Sequence, residues 1–292
     1  MLEANMTLQT EQLHPLYAVK ISGFDMRQNT SLADIAALKE VLDEYAVCAV
    51  PHEVPLTNEE HIGFGALLGP VARKTMPKIT GTGARVPHNE IVDQSNLDGD
   101  GNIYPDQDKR LAYKRANRLW HTDMSYRSNR ATWSLLSAHV CPPEGGETET
   151  TDMRAVYDDL PEKMKGRLEG LVAEHCYWHS RLLGGGPEPT PEERASRPPA
   201  QHSLVHIHPT SGRKVLYIAS HVRSIAGMPD DEAKDLLEEL RAIALQPKYV
   251  YAYPWNVGDV LIWDNLATMH RGTDFDDQKY VRDMRRVTCR EQ

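Results

Sequence analysis

Two residues of metal-binding type stand two positions apart in the segment WHTD at 120–123. If this segment is extended, the side chains of His121 and Asp123 point to one face and can chelate the same ion. A third ligand must come from elsewhere, and we expect it to be His270, which follows the apolar run at 260–263. Two imidazoles and one carboxylate leave coordination positions open, which suits catalytic non-haem Fe(II) better than a closed structural zinc site.

Other metal chemistries fit the sequence less well. An isolated His-x-Asp pair is weak evidence in a chain with 13 histidines and 42 acidic residues, so a zinc hydrolase stays open as an alternative. The H-E-x-x-H pattern that many zinc hydrolases use is absent from the sequence, however. The acidic run at 98–102 resembles a calcium loop, but Ile103 replaces the turn glycine and Lys109 the final glutamate. We therefore predict an ordinary turn there.

A cluster of arginines near the end of the chain is the expected place for an anionic ligand. The formal net charge is -9, yet Arg282, Arg285, Arg286 and Arg290 make this stretch locally basic. Guanidinium groups bind carboxylates through paired, charge-assisted hydrogen bonds and keep their charge at physiological pH. The negative net charge argues against a nucleic-acid partner, because binding a phosphate backbone requires a positive surface.

Six further histidines are interpreted as surface residues or hydrogen-bonded core residues, the usual state of buried polar groups. Of these, we expect His208 to be the exception. They are His139, His175, His179, His202, His206 and His208.

Helices that must position the candidate residues are predicted from local signals. Capping-box patterns precede apolar-periodic runs and predict helices over 32–45 and 58–68. A third helix is predicted to open at 159–161 and to run to about Leu171, and a fourth to open at 229–230.

Strands are predicted where β-branched and aromatic residues lie between turn signals, at 131–140, 214–220 and 260–263. Strands without regular βαβ alternation favour a β-rich fold with flanking helices. We predict that its core is a double-stranded β-helix, or jelly roll.

A long polar segment separates the second helix from the WHTD motif. Residues 73–117 are rich in Gly, Asp and Pro and show no sustained helix or strand period. Segments of this length are uncommon in compact domains unless they have a function, so we predict an active-site lid or loop insertion. With 292 residues the chain has the size of one large domain, and residues 1–292 are expected to form a single catalytic domain.

The composition indicates a globular cytoplasmic protein. Apolar residues make up 40% of the chain and charged residues 26%, which is ordinary for a globular fold. No run approaches the roughly 20 apolar residues that a membrane span needs, and residues 1–12 lack the features of a signal peptide. The four cysteines are far apart and form no C-x-x-C pair, so we expect reduced thiols.

Four motifs follow one another in the order and with the separations that characterise the TauD/TfdA family of 2-oxoglutarate dioxygenases. They are WHTD at 120–123, GGETE at 145–149, WNVGDVLIWDNLATMHRG at 255–272 and RDMRR at 282–286. The chain resembles this family from about Leu13 to Thr288. Within the family it most resembles the branch of 2,4-dichlorophenoxyacetate dioxygenases.

The resemblance implies a ligand set for iron and an anchor for the cosubstrate. The iron ligands of the family match His121, Asp123 and His270. The residues that hold the distal carboxylate of 2-oxoglutarate match Thr148 and Arg282. The stretch before that arginine is one residue longer than the usual pattern, which leaves the neighbouring Arg285 as an alternative.

The resemblance also implies a set of substrate residues. Arg286 matches the arginine that meets the acidic head of the substrate, while Asn117 and His221 match positions that line the pocket. Lys78 corresponds to a lysine that the phenoxyacetate branch carries near the substrate carboxylate.

The reaction implied requires Fe(II), 2-oxoglutarate as cosubstrate and O2, with ascorbate as a stimulant. It hydroxylates a small organic acid and yields succinate and CO2. An aryloxyacetate such as 2,4-dichlorophenoxyacetate, which would give a phenol and glyoxylate, is the favoured substrate. The alternatives are an alkylsulfonate such as taurine, another carboxylic acid, or a catalytically silent metal-binding relative. Members of the family commonly form homodimers or homotetramers.

Overall fold

The computed structural model describes residues 8–28, 30–74 and 85–292, the side chains of Lys109 and Ala112 excepted. Lys78, one of the predicted substrate residues, lies outside these ranges. The strands of the described ranges are β1 (Gln9–Gln12), β2 (Val19–Ser22), β3 (Val47–Val50), β4 (Ile91–Asp93), β5 (Ala131–Val140), β6 (Thr148–Asp152), β7 (Val172–His175), β8 (Ala200–Ser203), β9 (Val205–Ile207), β10 (Lys214–Leu216), β11 (Val222–Ile225), β12 (Val250–Tyr253), β13 (Val260–Asp264), β14 (Thr268–Gly272) and β15 (Asp283–Arg290).

Helices lie between these strands. They are α1 (Leu32–Tyr45), α2 (Asn58–Leu68), α3 (Lys109–Arg115), α4 (Met153–Asp159), α5 (Glu162–Leu168), α6 (Tyr177–Leu183), α7 (Pro191–Ser196) and α8 (Asp230–Ala244), with short 3-10 helices at Ala116–Arg118 and Pro247–Tyr249. Among the described residues, no helix has the length and apolar character needed to cross a membrane.

The core is built from a large and a small sheet. The large sheet has seven strands in the order β1-β2-β3-β13-β5-β15-β4, and only β2 and β3 pair in parallel. The small sheet has the order β12-β6-β14 and is antiparallel. Because neighbouring strands are far apart in sequence, both sheets depend on long-range pairing, as the predicted jelly roll requires.

Each face of the large sheet has its own packing partner. Alternate side chains of its central strands point to opposite faces. The inner face packs against Tyr253 of the small sheet, and the outer face packs against α1 and α2. The inner residues are Val47, Ala49, Leu136, Ala138, Leu261, Trp263 and Met284. This leaves the space between the sheets as the place where inward polar side chains of β5, β14 and β15 meet.

Local signals located several elements correctly. The helices α1 and α2 occupy the predicted ranges, and both begin with the expected capping boxes, formed by Ser31 with Asp34 and by Thr57 with Glu60. The strands β5 and β13 also lie where they were predicted. The run at 98–102 forms a turn in which Oδ1 of Asp98 accepts two backbone hydrogen bonds.

Three predicted elements were wrong in extent. The strand over 214–220 ends at Leu216: Tyr217 still donates to Leu204 in the register of the β9–β10 pair, but Ser220 donates to Trp120 instead. The helix at 159–171 is only α5, and the preceding helix α4 was missed. The described part of 73–117 is not irregular throughout, since it contains β4 and α3.

Candidate active site

The backbones of His121 and His270 hold these residues side by side. The N–H of His121 donates to the carbonyl of His270 at 3.0 Å, and the N–H of His270 donates back at 2.8 Å. The centroids of the two imidazole rings are 4.2 Å apart. His270 belongs to β14, opposite Thr150 of β6, whereas His121 forms an isolated bridge. Two predicted metal ligands from distant parts of the chain are therefore fixed relative to each other by paired hydrogen bonds.

His121 forms a β-bridge but Asp123 lies in a turn, so the extended conformation considered for 120–123 does not continue to Asp123. The residue that follows, Met124, has a φ of 54°. The carboxylate nevertheless turns toward both imidazoles, with Oδ1 3.9 Å from Nε2 of His121 and Oδ2 3.6 Å from Nε2 of His270. Ligand-type atoms of the three residues lie within 4.8 Å of one another, so together they could hold one metal ion.

The protonation states of this triad suit a metal. Nδ1 of His121 lies 2.7 Å from the carbonyl oxygen of Leu119, which favours the tautomer with its proton on Nδ1. Nε2 then carries the lone pair that can bind a metal. Burial lowers the pKa of His121 to about 4 and that of His270 well below its ordinary value. Burial alone would raise the pKa of Asp123, but Arg286 and the imidazoles hold it at about 2. Neutral imidazoles and a charged carboxylate are the ligand forms that metals bind.

His270 supplies an independent sign that the site accepts a ligand. The residue is buried, and neither ring nitrogen has a hydrogen-bond partner among the described residues. A buried polar atom without a partner is costly, and binding a metal at Nε2 removes that cost.

Ser134 and Asn265 orient the carboxylate of Asp123, and the sequence analysis missed both. The hydroxyl of Ser134, on β5, donates to Oδ2 of Asp123 at 2.7 Å. The amide of Asn265 donates to this hydroxyl at 3.0 Å and accepts from the N–H of Asp123 at 3.1 Å. Outer partners of this kind fix the orientation of metal ligands. The available signal was the position of Asn265 within the motif at 255–272.

Two arginines of the RDMRR motif, Arg285 and Arg286, lie on opposite faces of β15. Positions two or four apart on a strand share a face, whereas positions three apart do not. Nη1 of Arg286 lies 2.6 Å from Oδ1 of Asp123, inside the site. Arg285 points the other way and donates to Asn58 at 2.8 Å. Arg282 directly precedes β15 and lines a cleft with Asn117 and Gly272.

Arg282 lines a cleft and lacks a carboxylate partner within the described ranges. Its Nε donates to the carbonyl of Gly146 at 2.9 Å, and burial lowers the pKa of the guanidinium to about 10. Gly146 has a φ of +74°, and a Cβ there would lie 3.2 Å from Nε of Arg282. Thr148 follows two residues later at the start of β6, and its hydroxyl accepts from Trp255 at 3.2 Å. A half-buried cation that forms no ion pair within the described ranges favours an anionic ligand.

Asn117 and His221 have different neighbours. Asn117 lines the same cleft as Arg282 and donates to Gln94 at 2.8 Å. His221 is buried with its ring centroid 6.0 Å from that of His121. Its Nδ1 lies 3.0 Å from the hydroxyl of Ser125, while Nε2 has no hydrogen-bond partner in the described chain.

His208, expected to be an exception among the remaining histidines, belongs to a second cluster with Asp43 and Asp264. Its Nε2 lies 2.7 Å from Oδ2 of Asp264, and its Nδ1 accepts from the N–H of Ser211 at 3.2 Å. Both ring nitrogens are thus used within the protein. Arg154 donates to the carbonyl of Asp43, which places a positive charge beside the cluster. We interpret this cluster as a structural hydrogen-bond network.

The expected hydrogen bonding holds for some of the other histidines. His202 and His206 contact backbone carbonyls. His175 differs from this expectation, because the residue is buried and neither ring nitrogen has a hydrogen-bond partner among the described residues.

Comparisons with known proteins agree with this geometry. A family profile described as taurine catabolism dioxygenase TauD, TfdA family matches residues 9–288. The chain is 38% identical over 283 residues to the alpha-ketoglutarate-dependent 2,4-dichlorophenoxyacetate dioxygenase of Burkholderia sp. (strain RASC), covering 97% of this chain and 94% of the relative. It is 33% identical over 241 residues to the (S)-phenoxypropionate/alpha-ketoglutarate-dioxygenase of Sphingobium herbicidovorans, covering 80% and 78%.

A solved structure shares the whole fold. The crystal structure of AAD-2 in complex with Mn(II) and N-oxalylglycine matches with a TM-score of 0.91 and 36% sequence identity, over 98% of this chain and 99% of the other. The jelly-roll core predicted from the sequence is thereby confirmed.

Proposed function

The chain belongs to the TauD/TfdA family of Fe(II)- and 2-oxoglutarate-dependent dioxygenases, and we propose that it oxidises an aryloxyalkanoic acid such as 2,4-dichlorophenoxyacetate. The observation that carries the proposal is the buried group of His121, Asp123 and His270 with Arg286 beside it. This group combines a candidate metal site with a cation that can hold an acid. The relatives described above act on 2,4-dichlorophenoxyacetate and phenoxypropionate, according to their names.

We propose that His121, Asp123 and His270 hold the iron. Three protein ligands leave positions for the cosubstrate and O2, as in other non-haem iron oxygenases. When bound, iron and 2-oxoglutarate supply the oxidising power, as O2 is consumed and the cosubstrate becomes succinate and CO2. The work of the protein is then to bind, to orient and to exclude water.

We propose that Arg282 and Thr148 hold the distal carboxylate of 2-oxoglutarate. A planar guanidinium grips a carboxylate through two parallel hydrogen bonds, and a threonine hydroxyl can donate a third. The lack of any ion pair for Arg282 among the described residues supports this role, as does the opposite orientation of Arg285. The presence of N-oxalylglycine in the AAD-2 structure also supports it, since this molecule has the two carboxylates of 2-oxoglutarate.

We propose that Arg286 binds the acid head of the substrate, with Asn117, His221 and Lys78 lining the pocket. An acid group at Arg286 lies next to the candidate metal ligand Asp123. His221 adjoins aromatic side chains, because the ring of Tyr126 lies 5.1 Å away. An aryl group placed there would gain about 25 cal/mol per Å² of apolar surface removed from water. Taurine offers little such surface.

For an aryloxyacetate, oxidation of the carbon between the ether oxygen and the carboxylate gives a hemiacetal. This product breaks down to a phenol and glyoxylate, so one O2 and one 2-oxoglutarate yield phenol, glyoxylate, succinate and CO2. The protein contributes by holding that carbon close to the metal and by keeping the site dry.

Three further features are proposals of the same kind. Residues 73–117 are proposed to act as a lid within a single catalytic domain spanning 1–292, because Gln94 and Asn117 line the cleft that contains Arg282. A cytoplasmic location is supported by the four unpaired cysteines. A homodimer or homotetramer is proposed from the family resemblance, and light scattering coupled to size-exclusion chromatography tests it.

The function is tested by offering carboxylates and sulfonates to the protein with Fe(II), 2-oxoglutarate and ascorbate. We expect 2,4-dichlorophenoxyacetate to release a phenol in step with succinate, and taurine to release little sulfite. Sulfite without phenol contradicts the aryloxyalkanoate proposal and favours an alkylsulfonate. Substrate-free succinate formation with neither product indicates another organic acid. Metal binding without any succinate indicates a silent relative.

A further inference from the structure

Both polar atoms of the Asn96 side-chain amide form hydrogen bonds with one loop, at residues 277–282. The residue is 4% exposed, and its Nδ2 donates to the carbonyls of Asp277 and Tyr280 at 2.8 and 2.9 Å. Its Oδ1 accepts from the backbone N–H of Arg282 at 2.9 Å. The backbone N–H of Asn96 also donates to the carbonyl of Arg282 at 3.2 Å. Both backbone polar groups of Arg282 are therefore bound by this single asparagine.

The loop that Asn96 holds carries the candidate cosubstrate anchor. Residues 273–282 join β14 to β15, and Arg282 is the last of them. An irregular loop loses conformational freedom when it is ordered, so bonds from outside the loop help to fix its end.

A second set of contacts holds the same loop from the lid side. The carboxylate of Asp277 accepts two hydrogen bonds from Arg115 of α3, at 3.0 and 2.8 Å, and one from Arg118 at 2.7 Å. Asp277 is buried and contacts Asn96 through its own carbonyl. The loop is thus held at its middle and at its end by Arg115 and Asn96 of the 73–117 segment, together with the adjacent Arg118.

We infer that Asn96 is a positioning residue for 2-oxoglutarate, because it fixes the backbone of Arg282, the proposed anchor of the cosubstrate. The inference rests on the proposed role of Arg282 in the function given above. Asparagine suits the task because its side chain offers two donors and an acceptor at one place. Aspartate has the same size but no donor, and it would set a negative charge against two carbonyl oxygens. Alanine would leave those carbonyls and one N–H without a partner.

The experiment compares Asn96→Asp and Asn96→Ala with the unmodified protein. Binding of 2-oxoglutarate to the Mn(II)-loaded protein is measured by titration calorimetry. We expect its Kd to rise about tenfold or more, in keeping with the loss of buried hydrogen bonds. The Kd for Mn(II) and the KM for the acid substrate should change by less than about twofold, a selectivity that a general loss of stability would not give. The KM for 2-oxoglutarate should rise while kcat at saturation is largely kept.

Asn102→Asp is the matched control, because it makes the same substitution at an exposed position of the 73–117 segment. It should bind 2-oxoglutarate as the unmodified protein does. A lower Tm in the Asn96 variants with an unchanged Kd for 2-oxoglutarate would overturn the inference, as would equal weakening of Mn(II), cosubstrate and substrate.

Should the Asn96 variants fail to fold, Asp277→Asn loosens the same loop from its other side. A folded Asp277→Asn protein should also bind 2-oxoglutarate more weakly, and an unchanged Kd contradicts the inference. If the unmodified protein itself binds no 2-oxoglutarate, the proposed function fails. If it binds well and the variants bind equally well, only the role of Asn96 fails.

Discussion

Nη1 of Arg286 lies 2.6 Å from Oδ1 of Asp123, so the proposed acid-binding arginine is paired with a proposed iron ligand. Both side chains lie between the two sheets, where charges interact more strongly than in water. An acid that binds Arg286 must therefore bind within a few ångströms of the metal ligands. The guanidinium of Arg286 would therefore interact both with the acid group of the substrate and with the carboxylate of Asp123.

Replacing Arg286 by alanine should separate substrate oxidation from cosubstrate consumption. Loss of a buried charge-assisted contact should lower kcat/KM for an aryloxyacetate by about a hundredfold or more. The slow decarboxylation of 2-oxoglutarate without substrate should change far less. Phenol and succinate release measure the two rates. Arg290→Ala, at the exposed end of the same strand, is the control and should keep both. Equal loss of both reactions in Arg286→Ala would argue against the acid-binding role.

Arg282 and Arg285 can be distinguished by matched substitutions. Arg282→Ala should raise the KM for 2-oxoglutarate tens- to hundreds-fold, because a bidentate contact in a buried site is worth roughly 2–4 kcal/mol. Arg285→Ala should have little effect on this KM, since its side chain contacts Asn58 on the other face of β15. The reverse result would move the anchor to Arg285. Initial rates of succinate formation at varied 2-oxoglutarate measure both.

Asp123→Ala should abolish turnover and weaken metal binding. The substitution removes the only charged ligand of the proposed triad, and we expect the Kd for Mn(II) to rise more than about a hundredfold, beyond the effect of losing an outer partner. Asp43→Ala tests whether the second His and Asp cluster matters, and it should bind Mn(II) normally. Mn(II) titration with a stability check on each variant gives the answer. Normal turnover by Asp123→Ala would remove Asp123 from the ligand set.

Two serines of β5 provide a sharper test of how the carboxylate is oriented. Ser134 donates to Asp123, whereas the hydroxyl of buried Ser137 has no partner among the described residues. Ser134→Ala should weaken Mn(II) binding about tenfold, while Ser137→Ala should leave it unchanged. Titration calorimetry on both proteins measures the difference. Equal Mn(II) affinities would show that the Ser134 hydroxyl does not tune the ligand.

His175 should make the fold sensitive to acid. Burial lowers its pKa to about 3, whereas the unfolded imidazole takes up a proton near the ordinary value of 6.5. Between these values the unfolded state binds the extra proton, so the free energy of unfolding falls as the pH falls, by about 1.4 kcal/mol per pH unit. His175→Phe should remove this contribution. Urea unfolding at pH 6, 5 and 4 should show a shallower decline for the variant, and an identical decline would contradict the assignment.

Signals that lie within a few residues of each other predicted α1 and α2 well. The capping box of α1 joins Ser31 and Asp34, and both partners are visible in one short stretch of sequence. The apolar runs of β5 and β13 were equally local. The early end of β10 was not predictable in this way, because the backbone N–H of Ser220 donates to Trp120, which is distant in the sequence.

The candidate site was predicted in its ligands but not in its supports. The triad was proposed from motif order, and its three members do converge. The turn at Asp123 was missed, because the extended reading of 120–123 used only the spacing of two residues. Asn265 lies within the motif at 255–272, but the contacts of Ser134 and Asn265 with Asp123 become apparent only in the folded chain. The orientation of Arg285 likewise follows from the register of β15.

Because His121 and His270 exchange backbone hydrogen bonds, the site cannot form until both residues have been synthesised. His121 is synthesised long before His270, and β15 with Arg286 is synthesised later still. This last strand nevertheless lies between β5 and β4 in the large sheet. Contacts between residues so distant in the chain form late in folding, because the intervening chain must first be ordered. A nascent chain that ends before residue 286 has at most part of the site. The complete arrangement of His121, Asp123, His270 and Arg286 can therefore form only when nearly the whole chain has been synthesised.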